Sequence, residues 1–496
     1  MGNFLFKLIK WKLSNIAKTY FRKNEGFVSY NSDSTISVVK KITNLDNPYI
    51  VIVLVSLIYL FAVLKPYEFT GEEPLRVIVA YEMLHNHNLF QPTFLGDIYL
   101  NKPPLFNWFI ILSSYFIGWS DLTARMVTLF FLFLTSVGIY KFSFELTKDE
   151  KLSTLSSIIF LSFIDILFWY GNFGEIDITL GFFVFLLIYF LYKGYTENKP
   201  VLFIFSGIFT GIAFLLKGFP AYLFFGFTYL SIIIFYKDWK RLINPFIVLA
   251  VLIAFIIPVI WIINVPEPLN YIKTLFLEST ERGKGITNPF KFIYHIFVYL
   301  SLNFKQLLPA SFFVVLMLFI YRKKKIHIPE NIKLLIFIIL LNYIPYLLLV
   351  ETRGRYIIPL FPIISIVFAY IMYSFKNTKI FKIYVYTVLI LILVRLLFGY
   401  IHFPVSFKKR LPQREVAQDI YQNIDTSKKI AFDCYKDKFI TAYLDFMIGR
   451  PLLKSKYTKD WDYILVCKKI KEGKLLKVYK TRAKTLYLYQ RLSDFK

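Results

Sequence analysis

Carboxylates and cations stand at the ends of long apolar stretches in this chain of 496 residues. Glu72 and Glu73 follow the first of these stretches, and Asp177 stands at the start of a later one. Ionised groups at a bilayer surface are costly to desolvate, so they usually have a task. A carboxylate held near a hydroxyl can act as a general base, and we predict that Glu72, Glu73 and Asp177 are catalytic. The alternative is that they are solvated loop acids or helix caps.

Lys102 and Lys217 are cations in settings that favour phosphate binding. Two prolines follow Lys102 and restrict its backbone, so the ammonium group is presented with little entropy to lose. Lys217 is the only charged residue between Val201 and Tyr236, a region that contains two apolar stretches. An isolated cation in a membrane segment suggests a function. The alternative for both residues is a lysine that snorkels to water.

Two further pairs of charged residues are candidates. Arg353 and Arg355 precede an apolar stretch, where two guanidinium groups suit a phosphate or simply anchor a helix end. Glu278 and Arg282 are four residues apart, so on a helix they share one face and either bind substrate or pair with each other. The predicted substrate-binding residues are Arg76, Lys102, Lys217, Glu278, Arg282, Arg353, Arg355 and Tyr356.

Long apolar segments must position these residues. The chain is 57% hydrophobic with a mean hydropathy of +0.54, whereas soluble domains have about 45–50% apolar residues. Apolar runs recur along most of the chain, which predicts a polytopic α-helical membrane protein with about 11–13 transmembrane helices. The predicted spans are Pro48–Leu64, Leu122–Leu146, Leu152–Tyr170, Ile178–Tyr195, Val201–Leu216, Phe219–Tyr236, Ile243–Asn264, Gln306–Tyr321, Ile332–Val350, Ile357–Phe375 and Ile380–Tyr400. The shorter stretch Leu105–Trp119 is predicted to be an interfacial or re-entrant helix.

Basic residues in the short loops predict the orientation of these spans. Lysine and arginine mark cytoplasmic loops, and basic short loops such as 237–241 and 376–379 alternate with the loops that carry the acids. The N-terminus is therefore predicted to be cytoplasmic, with residues 1–46 as a basic amphipathic arm. The candidate site is predicted to lie on the extracytoplasmic face. The net charge of +27 favours anionic lipid and phosphate as partners rather than nucleic acid.

The last part of the chain has a different pattern. Helical spacing at Gln413–Asn423 and several short strand-like stretches predict a small soluble α/β domain over residues 402–496, on the extracytoplasmic side. The membrane domain is then residues 47–401. Cys434 and Cys467, the only two cysteines, either form a disulfide or remain as buried thiols.

Taken together, these motifs resemble the lipid-linked glycosyltransferases of the aminoarabinose-transferase and protein O-mannosyltransferase superfamily. The resemblance covers about residues 67–362. The matching motifs are Glu72-Glu73-Pro74-Leu75-Arg76, Gly96-Asp97-Ile98-Tyr99, Lys102-Pro103-Pro104-Leu105-Phe106-Asn107-Trp108, Asp177, Lys217, Glu278 with Arg282, and Arg355-Tyr356-Ile357-Ile358-Pro359. The family has an aspartate where this chain has Glu72, which leaves open whether Glu72 or Glu73 faces the sugar.

The resemblance implies a GT-C glycosyltransferase fold and an inverting transfer from a polyprenyl-phosphate sugar to an envelope acceptor, namely lipid A, a glycan or a protein. Some members hold a metal with an acid and a histidine, but the corresponding residues here are Asn101 and Ser279, so we predict no metal at that place. No cofactor is predicted, and the metal dependence is left open. A secondary transporter or lipid flippase is one alternative, although the charges stand at helix ends and no internal repeat is evident. A non-catalytic lipid-phosphate-binding envelope protein is another, and it would not need the acids.

Overall fold

The described part of the chain is dominated by α-helix. The structure, a computed structural model, describes residues 53, 55–60, 68–280, 289–349, 353–402, 405, 412–481 and 485–492, with the side chains of residues 278–280 and 402 left out. The predicted arm, most of the predicted span Pro48–Leu64, Arg282 and the side chain of Glu278 lie outside the described residues.

The helices follow one another with short connections. In the first half they are α1 (Glu73–His85), α2 (Leu105–Ile117), α3 (Leu122–Thr147), α4 (Glu150–Ser162), α5 (Ile176–Thr196), α6 (Leu202–Lys217), α7 (Pro220–Tyr236) and α8 (Pro245–Ile262). They continue with α9 (Pro268–Thr280), α10 (Pro289–Gln306), α11 (Ala310–Ile320), α12 (Glu330–Leu348), α13 (Phe361–Tyr373) and α14 (Lys379–Leu397). A 3₁₀ segment, Gly354–Leu360, leads into α13.

Residues at the helix starts explain several of these bounds. Pro245 occupies the first turn of α8, where a missing N–H costs nothing, and the Asn244 side chain accepts a hydrogen bond from the Phe246 N–H. The Thr378 hydroxyl caps α14 in the same way by accepting from the Phe381 N–H. The observed starts of these two helices lie within a few residues of the starts of the predicted spans.

Six helical segments among the described residues are long and apolar enough to cross a membrane. They are α3, α5, α8, α12, α13 with its 3₁₀ lead-in, and α14 with its continuation to Ile401. The pair α10 and α11, bent by 101°, adds a seventh if it is one span, and α2, α6 and α7 are shorter apolar helices. These helices confirm the predicted polytopic α-helical membrane protein.

Two segments differ from the sequence-based expectation. The predicted span Leu152–Tyr170 is broken, since α4 ends before an extended Phe163 and the Ile164 N–H donates instead to the Leu308 carbonyl at 2.8 Å. Residues 265–305, predicted as a long loop, contain α9 and most of α10. A search for long apolar runs passes over α10 because polar side chains interrupt its sequence.

Close helix packing joins the membrane segments around one continuous apolar core. Helices α6 and α8 approach closely, since a Cβ atom added at Gly207 would lie 2.2 Å from the Ala250 carbonyl oxygen. Only glycine allows two backbones to come this near, a common device in membrane helix pairs.

The C-terminal region, residues 412–492, is built on a four-stranded sheet. The strands are β3 (Ile430–Asp433), β4 (Tyr463–Val466), β5 (Lys474–Lys480) and β6 (Thr485–Gln490). Their order in the sheet is β3-β4-β6-β5. The β3–β4 pair is parallel and the other pairs are antiparallel. Helices α15 (Gln413–Asn423) and α16 (Lys438–Ile448) complete this predicted α/β region. Cys434 and Cys467, which follow β3 and β4, form a disulfide.

The C-terminal region docks on the first loop, defined as residues 68–121, which carries α1, α2 and the hairpin β1 (Thr93–Phe94) and β2 (Asp97–Ile98). Asp97 pairs with Lys454 and accepts a hydrogen bond from the Tyr457 hydroxyl at 2.9 Å. Arg414 pairs with Asp121 at 2.8 Å. These contacts help to make residues 55–496 one compact unit.

Candidate functional site

Helix α1 begins with a turn that sends two adjacent carboxylates to different places. Gly71 has a φ of +60°, a conformation that glycine adopts without strain. Glu72 occupies the N-cap position, and its side chain is 43% exposed. Glu73 starts the helix and is fully buried.

The Glu73 carboxylate is enclosed by hydrogen-bond donors. Arg125 of α3 binds it with two nitrogens, each 2.8 Å from one carboxylate oxygen. The backbone N–H groups of Gly174 and Thr70 donate to it at 2.7 and 2.8 Å. A bidentate buried pair of this kind fixes geometry, so Glu73 ties the start of α1 to α3 and to the loop before α5.

A second group of charges forms where α5 begins and α6 ends. Asp177, in the first turn of α5, accepts a hydrogen bond from Nζ of Lys217, in the last turn of α6, at 2.5 Å. The two helix dipoles favour this arrangement, since an anion is stabilised at a helix N-terminus and a cation at a C-terminus. Arg355 lies 4.0 Å from Asp177 and 3.5 Å from Glu175. We call Glu175, Asp177, Lys217 and Arg355 the acid–cation cluster.

Glu72 borders the acid–cation cluster. Its backbone N–H lies 3.4 Å from a Glu175 carboxylate oxygen, and its own carboxylate lies 2.7 Å from Nζ of Lys438 in the C-terminal region. Burial alone would raise the pKa of Glu72, but the hydrogen bond and charge of Lys438, with the charges of Arg76 and Arg355, lower that pKa below its ordinary value. The carboxylate is therefore an anion near neutral pH, and it is still reachable from outside.

Aromatic hydroxyls and rings connect the remaining predicted residues. The Arg76 guanidinium donates to the Tyr99 hydroxyl at 2.9 Å. The Lys217 ammonium lies 5.1 Å from the centre of the Tyr356 ring, within the range of a cation–π contact. The ring contact places Tyr356 beside the acid–cation cluster, and Arg76 is near enough to Glu175 and Glu72 to interact with their charges.

A pocket opens beside the cluster, with about 760 Å³ of empty space that includes the part open to solvent. Two of its lining residues are the cations Lys102 and Lys217, and most of the others are apolar. The apolar and aromatic residues of the lining are Leu180, Phe219, Pro220, Leu223, Phe224, Leu275, Tyr346, Leu349 and Tyr356. Such a lining suits a ligand with an anionic head and an apolar body.

Most of the residues predicted from the sequence thus meet in one place. The group comprises Glu72, Arg76, Lys102, Asp177, Lys217, Arg355 and Tyr356. Glu73 lies nearby but faces Arg125, and Arg353 is exposed. Arg125 was not predicted from the sequence, although a lone arginine inside a predicted span is itself a signal. It also missed Lys438, which carries no local signal.

One group of three side chains among the described residues has the geometry to ligate a metal: Cys434, Asp437 and Cys467. The two cysteines are joined in a disulfide and are not available as thiolate ligands. This group belongs to the C-terminal region.

Sequence comparisons relate the membrane segments to known transferases. Residues 101–263 match the family described as dolichyl-phosphate-mannose-protein mannosyltransferase. An undecaprenyl phosphate-alpha-4-amino-4-deoxy-L-arabinose arabinosyl transferase of Wigglesworthia glossinidia brevipalpis is 30% identical over 145 residues, which are 28% of this chain and 26% of the relative. Transferase 2 of the same description from Proteus mirabilis is 24% identical over 235 residues, or 46% of this chain and 42% of the relative. The chain therefore spans less than half the length of these relatives.

The fold has solved counterparts over most of its length. ArnT from Cupriavidus metallidurans, bound to undecaprenyl phosphate, superposes with a TM-score of 0.63 at 14% identity and covers 89% of this chain and 98% of its own. The apo form gives a TM-score of 0.64, with 92% and 98% coverage at the same identity. Fold and sequence matches agree: the chain has the fold of ArnT over most of its length, and residues 101–263 resemble the protein mannosyltransferases in sequence.

Proposed function

We propose that this protein is an inverting membrane glycosyltransferase that moves a sugar from a polyprenyl-phosphate donor to an envelope acceptor, which is lipid A, a glycan or a protein. One observation carries the proposal. A pocket with an apolar lining and two lysines opens beside the acid–cation cluster, and a half-exposed carboxylate, Glu72, borders that cluster. A polyprenyl-phosphate sugar has matching parts, namely an apolar chain for the lining and an anionic phosphate for the lysines.

Cations of the site act on the donor. When the bond between the anomeric carbon and the phosphate oxygen breaks, negative charge grows on the departing polyprenyl phosphate. Preorganised cations stabilise such charge best in a site with little water. Lys217, Lys102 and Arg355 are positioned for this role, and Asp177 holds Lys217 and Arg355 in place. Arg282 remains a predicted ligand of the donor phosphate, and Glu278 and Arg353 remain predicted substrate-binding residues.

Glu72 acts on the acceptor. An acceptor hydroxyl attacks the anomeric carbon from the face opposite the phosphate, and its proton passes to the Glu72 carboxylate. A new C–O bond replaces the phosphate ester bond, with inversion. Of the three acids predicted to be catalytic, Glu72 is the most exposed, whereas Glu73 is enclosed by Arg125 and only 3% of the Asp177 side chain is exposed. The contacts of Asp177 therefore favour a positioning role over acceptor activation.

The proposal includes an orientation in the cell inner membrane. The N-terminus is cytoplasmic and the candidate site, with the soluble domain of residues 402–496, is extracytoplasmic. The basic short loops support this orientation. The Cys434–Cys467 disulfide supports it too, since disulfides persist in oxidising compartments.

The test is transfer by the purified protein in proteoliposomes. Undecaprenyl phosphate-4-amino-4-deoxy-L-arabinose, the donor in the names of the relatives, is supplied first with lipid A, and undecaprenyl-phosphate hexoses are supplied next. Mass spectrometry should detect a glycosylated acceptor and released undecaprenyl phosphate. In parallel, envelope lipids, glycans and proteins from cells with and without the gene should differ by one sugar. No gene-dependent sugar in any of these fractions would contradict the proposal.

A further inference from the structure

A lysine of the C-terminal region reaches the candidate active site. Lys438 is the first residue of α16 and is 366 residues from Glu72 in the chain, yet its Nζ lies 2.7 Å from Glu72 Oε2. Its side chain is only 12% exposed. A cation buried to this degree depends on its anionic partner, because an unpaired buried charge is costly. The pair is therefore part of how the two regions fit together.

Packing of α16 against the first loop fixes the position of Lys438. The Tyr443 hydroxyl accepts a hydrogen bond from the Phe69 N–H at 3.2 Å, and the two rings lie 5.0 Å apart. Further along α16, the Asp445 carbonyl accepts a hydrogen bond from the Tyr81 hydroxyl at 3.1 Å. Contacts at two residues of α16, Tyr443 and Asp445, thus hold Lys438 against the start of α1.

Glu72 experiences several charges, and Lys438 is the nearest of those described. Arg76 and Arg355 also favour its ionised form, and Glu175 accepts the Glu72 N–H. Burial opposes ionisation. Loss of Lys438 would leave burial opposed only by the more distant guanidinium groups, so the pKa of Glu72 would rise.

We propose that the C-terminal region completes the active site through Lys438, a positioning residue that holds the Glu72 carboxylate as an anion beside the acid–cation cluster. The inference rests on the proposed function, because it serves Glu72 as a general base. It gives the C-terminal region a direct part in the reaction.

A base accepts a proton only in its ionised form, so the transfer rate falls on the acid side of its titration. An opposite charge within hydrogen-bonding distance lowers a carboxyl pKa by about 1–3 units. Removal of the Lys438 charge should therefore move the acid limb of the pH–rate profile upward by about 1 unit or more, with the rate recovering at higher pH.

The control lies in the same interface. Lys454 pairs with Asp97 of the first loop, and Lys456 and Tyr457 also contact that aspartate. Lys454→Gln therefore removes one docking ion pair without touching Glu72.

The experiment compares pH–rate profiles of the full-length wild type, Lys438→Gln, Lys438→Arg and Lys454→Gln in proteoliposomes. Of the three variants, only Lys438→Gln should have its acid limb at higher pH than the wild type. In Lys438→Arg, which keeps the positive charge, the acid limb should lie at the wild-type pH. Equal profiles for Lys438→Gln and the wild type would overturn the inference. Lys438→Met serves the same comparison if the glutamine variant does not fold.

A second measurement separates this inference from the proposed function, since it needs neither donor nor acceptor. The titration of Glu72 is read as the infrared carboxylate difference between each protein and its Glu72→Gln counterpart. A midpoint raised by Lys438→Gln supports the inference even if no transfer is found, in which case only the proposed function fails. An unchanged midpoint overturns the inference even if the wild type is active.

Discussion

Glu72 and Glu73 are adjacent in the chain, but their carboxylates have different surroundings. Glu73 has no exposed surface and forms a bidentate pair with Arg125. Glu72 is partly exposed and has Lys438 as its partner. A step of one residue at the start of α1 thus separates a buried carboxylate that stabilises the fold from a partly exposed one that we propose as the general base.

Neutral variants of the two glutamates should have different effects. Glu72→Gln should lower the melting temperature less than Glu73→Gln, because the Glu72–Lys438 pair is partly exposed, and it should lower transfer by about 10²–10⁴-fold, as expected for loss of a general base. Glu73→Gln should lower the free energy of unfolding by about 3–5 kcal/mol, because it leaves Arg125 buried without its anion. Melting temperature in detergent and transfer rate at saturating donor are measured for both. A stable but inactive Glu73→Gln would reverse the assignment.

Lys217 should matter for the donor more than for the fold. Lys217→Met should weaken binding of undecaprenyl phosphate by about 10- to 100-fold, the value of one charge-assisted hydrogen bond. It also leaves Asp177 without its nearest cation, so the double variant with Asp177→Asn should recover stability but not binding. Lys193→Met is the control, since Lys193 likewise stands in the last turn of a helix and forms ion pairs, with Glu145 and Glu197. Binding is measured by titration in nanodiscs, and equal losses for Lys193→Met and Lys217→Met would contradict the assignment.

At the level of helices, the sequence predicted what depends on local signals. Apolar runs predicted most spans to within a few residues, as with Ile243–Asn264 against Pro245–Ile262. The break after α4 was not predictable, because it depends on a hydrogen bond from Ile164 to the distant Leu308. The convergence of α5, α6 and the segment before α13 was predictable from the alternation of spans. The contribution of Lys438 was not, since it depends on how a separate region docks.

Helix contact at Gly207 offers a test of the packing. Gly207→Ala would place a methyl group 2.2 Å from the Ala250 carbonyl oxygen, so α6 and α8 must separate. We expect destabilisation by about 1–3 kcal/mol, as for overpacking of a core. Gly226→Ala in α7 is the matched control, because nothing lies within 4 Å of the added Cβ atom. The melting temperatures of the two variants in the same detergent decide the point, and equal values would contradict this contact.

Across the whole molecule, the C-terminal region and the first loop meet through both ion pairs and buried carboxyl groups. Glu82 of α1 accepts hydrogen bonds from the N–H groups of Leu95 and Gly96 and is fully buried. Asp445 of α16 is also fully buried and accepts a hydrogen bond from the Leu452 N–H. Burial raises the pKa of Glu82 to about 7, and burial together with the Glu82 charge raises the pKa of Asp445 well above its ordinary value. The interface therefore favours the protonated form of both groups.

This pair makes the stability of the docked molecule depend on pH. A carboxyl group with a raised pKa in the folded state keeps its proton where the unfolded chain has already lost it. For Glu82, stability is therefore greatest below about pH 4.5 and falls as the pH rises toward 7, by about 1.4 kcal/mol for each unit of pKa difference.

Asp445→Asn keeps an oxygen for the Leu452 N–H and removes one ionisable group, so its melting temperature should fall less between pH 5 and pH 8 than that of the wild type. Asp425→Asn, at an exposed acid of the same region, should follow the wild type. If Asp445→Asn falls as steeply as the wild type, the carboxyl pair does not govern docking, and the ion pairs of Asp97, Asp121 and Glu72 hold the two regions together by themselves.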